Sequence, residues 1–501
     1  MNISLNKENF KTASFLRRAY SETSVEGEVL IPDYYPEIMR IVKTEAIPYI
    51  RSKDIRDEKI YVEGNICFRV LYICENGEIN SYTTLMPFSQ YIDLKAELPI
   101  ACYVEAKTVY VNTRALNPKK LYFKATVSVS ADCTVETEQC AVKNIDENNV
   151  YMQTEAFETF NVVCETQKPI RLTDDISIEN RTAKNILRHD SYIVETERKI
   201  INGKMIVKGD LILKIIYTES ESSEIMTVTQ KSGFSQILEM KEIDDLCIFD
   251  INYNISDISI SLIANSSETS SVISYDAEIY ISAVAYKNTD EAVCLDAFST
   301  KNKIDISTTA MTSQNICNVK KELLIRQSLD IGNYTKIHDL SVLSEIENAE
   351  YYAENGTINI SGSMICTVYH TDSEGDFAVC ERNIPFELQL PVKTGGTAAI
   401  AKCYTNIEAC AFVEKDATSI EVRIDAICKG TVSVLNQKNI VTNAEITDIP
   451  IPQKNSGITI YYADKNENIF SIAKKYSVDP QILKTVNETK DIIENKRAII
   501  I

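Results

Sequence analysis

One long segment is written three times along this chain, and the way it alternates fixes what the chain can fold into. From Lys59 the sequence reads KIYVEGNICFRVLYICENGEINSYTTLMPFSQYIDL. From Lys204 it opens KMIVKGDLILKIIY and reaches GFSQILEM, and from Thr357 it opens TINISGSMICTVYH and reaches PFELQLPV. In each copy a glycine (Gly64, Gly209, Gly362) interrupts an alternating apolar run. The same offset then brings Tyr72, Tyr217 or His370, and further on Phe88, Phe234 and Phe386.

The second half of each copy also repeats. Leu121, Phe123, Ala125, Val127, Val129, Ala131, Cys133 and Val135 occupy every second position, with mostly polar residues between them. Residues 273–285 and 420–434 show the same period of two, the mark of strands with one face on a core and one in water. The repeat is too long for a solenoid and each copy can bury its own core, which makes these tandem domains. Asn76-Gly77 and Glu374-Gly375 supply hairpin turns between successive strands. Long helical periodicity is scarce, so the expected fold is mainly β: three tandem β-sandwich-like repeats. The repeated glycines are expected to mark a bulge or bend rather than a phosphate-binding loop.

At 501 residues the chain is long enough for several cores. It carries 72 acidic against 52 basic residues, a net charge of −20, which repels a phosphate backbone and argues against nucleic-acid binding. No apolar run approaches the roughly 18 residues that span a bilayer. The first residues, with Lys7, Lys11, Arg17 and Arg18, contain no apolar secretory core. A cytoplasmic protein is expected, and its 14 cysteines, with no C-x-x-C among them, are expected to be reduced and mostly buried.

After the last repeat, Asp448 to Gly457 reads as a linker, with two prolines and polar residues. Residues 458–462 then form a short apolar strand. Asn468 can cap a helix with the stripe Ile469, Phe470, Ile472, Ala473 and Tyr476. Asp479-Pro480 places a cap before a first-turn proline, opening a second helix with Ile482, Leu483 and Val486. A last strand covers 498–501. The order is βααβ, an α+β unit.

This tail resembles a LysM domain, a module that binds N-acetylglucosamine chains, through Asn466 to Tyr476, Asp479 to Lys484, and Asn487. The resemblance implies a binding site on two loops, here Asn466, Glu467, Asn468 and Ile469 on one side and Glu494, Asn495 and Lys496 on the other, with Asn487 between. The family usually carries Gly-Asp-Thr-Leu at the first loop and Pro-Gly-Gln near the second, and both differ here. A rim with Glu467, Glu488, Glu494, Lys496 and Arg497 is better suited to protein contacts than to a neutral glycan.

The combination of three β repeats and this tail resembles the SPOCS-domain (DUF3794) proteins of spore-forming Clostridia, in particular coat adaptors ending in LysM. Residues 25–42, VEGEVLIPDYYPEIMRIV, are similar to that family's opening. The resemblance implies a mother-cell protein recruited to the forespore surface, a non-catalytic scaffold in spore-coat assembly. Its LysM-like tail would dock a coat-basal-layer ATPase, alongside other coat proteins. The alternative is a peptidoglycan-binding protein. The expected domains are 1–165, 166–312 and 313–440, a linker at 441–457, and the LysM-like unit at 458–501.

The residues offer little chemistry. Only His189, His338 and His370 exist. Cys366 and His370, with Cys380 nearby, are conceivable metal ligands, but His370 stands where the other repeats have Tyr72 and Tyr217. His189-Asp190 lies on a polar stretch without a nucleophile motif. Asp174-Asp175 and Asp244-Asp245 read as solvated loops. No catalytic residue, cofactor or metal is expected.

Overall fold

The computed structural model describes residues 5–16, 18–94, 98–178, 181–263, 271–393, 395–452 and 457–501. Three units share one strand plan. The first contains β1 (Leu5–Phe15), β2 (Ala19–Leu30), β3 (Ile38–Arg56), β4 (Lys59–Cys74), β5 (Ile79–Asp93), β6 (Ala101–Asn117) and β7 (Lys120–Ile145). The second contains β8 (Val150–Ile178), β9 (Ala183–Ile201), β10 (Lys204–Glu219), β11 (Ile225–Glu239), β12 (Ile248–Ile263) and β13 (Ser271–Ser299). The third contains β14 (Asn302–Asp330), β15 (Tyr334–Tyr352), β16 (Thr357–Asp372), β17 (Phe377–Pro391), β18 (Ala398–Glu414) and β19 (Ser419–Pro450).

In each unit a meander of three antiparallel strands, β3-β4-β5, β9-β10-β11 or β15-β16-β17, faces a second sheet. The centre of that second sheet is the unit's last strand: β7 between β6 and β1 with β2, β13 between β12 and β8, β19 between β18 and β14. The alternating apolar residues of the two sheets interdigitate, as in Phe68 and Val70 against Phe123 and Val127. These are β-sandwiches, as expected.

The expected boundaries at 165/166 and 312/313 need correction, because they fall inside β8 and β14. The units part at the turns before Val150 and Asn302. Each strand continues from a ribbon into a sandwich without a turn, so no turn residue marks the passage between them. Residues 441–450, expected as linker, are the end of β19 paired with β14; 453–456 lie outside the described residues.

The repeated glycine is explained by packing. Gly64, Gly209 and Gly362 each lie directly across from Phe88, Phe234 and Phe386. A Cβ on Gly64 would stand 2.2 Å from the Tyr49 carbonyl oxygen and 2.6 Å from the Phe88 ring, and on Gly362 2.2 Å from the Glu345 carbonyl oxygen. The bulge itself lies on the neighbouring strand, at the register shifts Ile50/Ser52 and Ile346/Asn348 in units one and three. The meander hairpin in unit two turns through Asn202-Gly203, at φ 49° and 72°, the left-handed geometry of a tight two-residue loop.

The units close into a ring. The last meander strand of each meets the first meander strand of the next: β5 with β9, β11 with β15, β17 with β3. At one level Leu71, Leu187, Ile216, Tyr369 and Phe377 from all three units share a cluster. Beyond the sandwiches, the long pairs β1/β7, β8/β13 and β14/β19 run on as three ribbons that pack together. Phe15, Phe160 and Tyr286 meet edge to face there, with centroids 5.3–5.8 Å apart. Further along lie Phe10, Phe157, Val293 and Ile440, then Val142, Cys294 and Val441.

The tail folds as β20 (Ile460–Ala463), α1 (Ile469–Tyr476), α2 (Pro480–Asn487) and β21 (Arg497–Ile500), the expected βααβ order. Asn468 accepts from the Phe470 amide at 2.8 Å, and Asp479 from the Gln481 amide at 2.7 Å, so both caps act as anticipated. Among the described residues no helix is long and apolar enough to cross a membrane.

Candidate interaction surfaces and the charged centre

Where the meanders meet, charged residues are buried. A β-bulge in β3, β9 and β15 sets Lys43, Arg188 and Asp339 directly after the skipped residue and turns them toward the ring centre. Arg188 of the second unit donates from Nε to Glu45 Oε1 of the first at 3.1 Å, and its Nη1 lies 3.5 Å from Asp339 Oδ2 of the third. It also donates to Asp190, at 2.8 and 2.6 Å, and to Ser341 Oγ at 3.5 Å. Arg69 donates to Glu45 at 2.9 Å and to the His189 carbonyl at 3.0 Å. Tyr369 donates to Glu45 at 2.8 Å and stacks beneath Arg188, 4.6 Å from its guanidinium carbon. Lys214 and Lys43 complete the ring on Asp339 and Glu381.

The side chains of Arg69, Asp339 and Arg188 are only 2–4% exposed. At Glu45 burial pushes the carboxyl upward, but the Arg188 and Arg69 guanidiniums and the Tyr369 hydroxyl outweigh it and hold the group at about 2. The same setting drives His189 well below its usual range, first through burial and then through the two arginines. His189-Asp190, expected on a polar stretch, lies half-buried at this charged centre.

Between this ring and the ribbons lies a cavity of about 1030 Å³ lined by all three units. Tyr103, Asp250 and Lys402 are equivalent residues there, each five positions before the bulge of β6, β12 or β18. Tyr103 donates to Asn254 at 2.9 Å, and the Lys402 ammonium sits 4.0 Å from the Phe15 ring centroid. Burial raises the Asp250 carboxyl and lowers the Lys402 ammonium, each partly offset by the other's charge.

Residues 37–116 and 182–263 match the family model described as SipL, SPOCS domain. Both stretches are similar to SPOCS domains. Each match covers a meander and one edge strand of the second sheet, β3–β6 and β9–β12. No curated protein and no solved structure matches the chain. The third unit, β14–β19, lies outside the matched residues and repeats the strand plan of the two matched units.

The tail is fastened to the ribbon tip of the second unit. Phe470 of α1 packs edge to face on Phe298 at 5.2 Å. Lys474 pairs with Asp296 at 2.6 Å, and Tyr151 donates to Asp479 at 2.7 Å. One side of the tail is thereby covered, and the outer face of β20/β21 is left in solvent. Ile458 and Tyr462 are 81% and 79% exposed, and Ile460 stands across from Ile500 on the same face.

The expected loop residues divide. The Asn466 amide donates to the Ile493 carbonyl at 2.7 Å, and the Ile493 amide to the Glu467 carbonyl at 3.0 Å. Asn468 forms an isolated bridge with Ile492. The first loop is thus zipped to the segment just before the second. Glu467 also accepts from Tyr461, and Lys496 pairs with Asp464 at 3.0 Å. Glu494 and Asn495 are exposed. Ile469 is fully buried, and Asn487 spends its amide on Leu483 and Ile500, so both serve the tail's own core.

Among the described residues no group of three His, Cys, Asp or Glu is placed to hold a metal. Cys366 and His370 are buried in β16, Cys366 within the core of the third unit. Asp174-Asp175, expected in a loop, lies on an exposed stretch of β8. The charged centre was missed by the sequence reading, although it had left a trace. Residues 66–74 are apolar on both faces with Arg69 among them, which signals a strand covered on both sides and a charge that needs partners there.

Proposed function

We propose that the chain is a non-catalytic scaffold in endospore coat assembly, acting at the forespore surface of the mother cell, with its LysM-like tail docking the coat-basal-layer ATPase and its β body meeting other coat proteins. The SPOCS matches support the sporulation setting. The observation that carries the docking role is the tail's fixed presentation. One helical side is anchored on Phe298, Asp296 and Tyr151, while the strip Ile458, Ile460, Tyr462 and Ile500 faces outward. An anchored apolar strip loses little orientational freedom on binding and suits a protein partner.

Glycan binding by the same tail is less well supported, because backbone groups of the first loop are spent on Asp491 and Ile493. Affinity capture of the ATPase by the full chain, and by the chain lacking residues 458–501, tests the proposal. Capture lost on truncation is the expected result. No capture by either form, together with sedimentation of the full chain on purified cell-wall material, would overturn it in favour of wall binding.

A further inference from the structure

Cys102 and Cys133 face each other across β6 and β7 as direct register partners, with their sulfurs 3.1 Å apart. Neither directs its backbone toward the other. The Cys133 carbonyl accepts from Leu16 on the opposite side, and the Cys102 carbonyl accepts from the Lys53 ammonium. The two therefore form a non-hydrogen-bonded antiparallel pair, the closer of the two kinds, with Cα atoms about 4.5 Å apart. That spacing lies inside the range of about 4.4–6.8 Å that a disulfide spans. The backbone needs no rearrangement; the sulfurs need only approach by about 1 Å.

The repeat shows that sulfur is not required here for packing. The same cross-strand position is Phe249 opposite Ala285 in the second unit and Ala401 opposite Val432 in the third. Chemistry at the pair is also favoured. The Cys133 thiol donates to Cys102 and, with Lys53 nearby and against the effect of burial, holds the Cys102 thiol below its ordinary value. Cys102 is the second residue of β6, a strand paired on one side only, so a short fraying of its end admits a small oxidant.

We propose that Cys102 and Cys133 are a redox pair, closed by a peroxide into a cross-strand disulfide that fastens the edge strand β6 to β7 beside the central cavity. The Cys102 thiolate attacks one peroxide oxygen, taking a proton as water leaves, and becomes a sulfenic acid. The Cys133 sulfur then displaces that oxygen as a second water and loses its own proton. Two thiols and one hydrogen peroxide give one disulfide and two waters, the sulfurs being oxidised by two electrons and the peroxide reduced by two.

The test uses the full chain, reduced, freed of reductant and exposed to limiting hydrogen peroxide under native conditions. Remaining thiols are alkylated and the protein is mapped by mass spectrometry, with fragment ions separating Cys133 from the exposed Cys140 nearby. The expected result is an intramolecular Cys102–Cys133 link, reversed by dithiothreitol, with a raised melting midpoint. In Cys102→Ser the link and the rise are both lost. Cys102 and Cys133 alkylated after treatment, carried on to sulfinic acid, or linked only to other cysteines would overturn the proposal.

Discussion

At the scale of single residues, the most consequential group is Glu45. It bridges Arg69 of its own unit, Arg188 of the second and Tyr369 of the third. Its folded-state value, about 2 against an ordinary 4.5, means that it adds stability above pH 4.5 which is lost as pH falls toward about 2. The linked contribution is about 3 kcal/mol. Glu45→Gln should therefore flatten the acid limb of a denaturation profile in that window and, by leaving two guanidiniums short of a partner, cost about 3–5 kcal/mol at neutral pH. Urea unfolding of both proteins at pH 3 and pH 7 checks this. The glycines and phenylalanines of the repeat were legible in the sequence because their spacing recurs. The distant partners of Glu45 were not, since Arg188 and Tyr369 are brought to it by the turning of units about one another, which no local pattern encodes.

At the scale of elements, strand existence and the caps at Asn468 and Asp479 followed from alternation and capping chemistry alone. Strand length did not. β8 and β14 serve two layers in succession, first the ribbons and then a sandwich, and both uses demand the same alternation. The loops of the tail were located by resemblance, but the pairing of the first with the segment just before the second was not foreseen. The anchoring of the tail on Phe298 is likewise a meeting of distant segments. Phe298→Ala removes the ring on which Phe470 rests and should weaken that contact by about 3 kcal/mol. The outcome expected in limited proteolysis is faster cleavage between residues 450 and 460, with the melting midpoint of the β body little changed.

At the scale of the whole molecule, the three sandwiches do not behave as beads on a string. Their shared clusters and the buried centre make each one's surface another's core. Calorimetry of the full chain should show one dominant transition for the β body. A chain ending at residue 301 should melt lower and bind a hydrophobic dye, because Phe15, Phe160 and Tyr286 lose the third ribbon's cover. Tyr103, Asp250 and Lys402 show what the tandem arrangement permits. In a trimer of identical subunits, whatever stands at one such position stands at all three, so a lysine on the axis would confront two more of itself. Joining the copies in one chain lifts that constraint: each position can be edited alone, and a cation can be set against an anion and a phenol at a place where strict symmetry would have forbidden any charge.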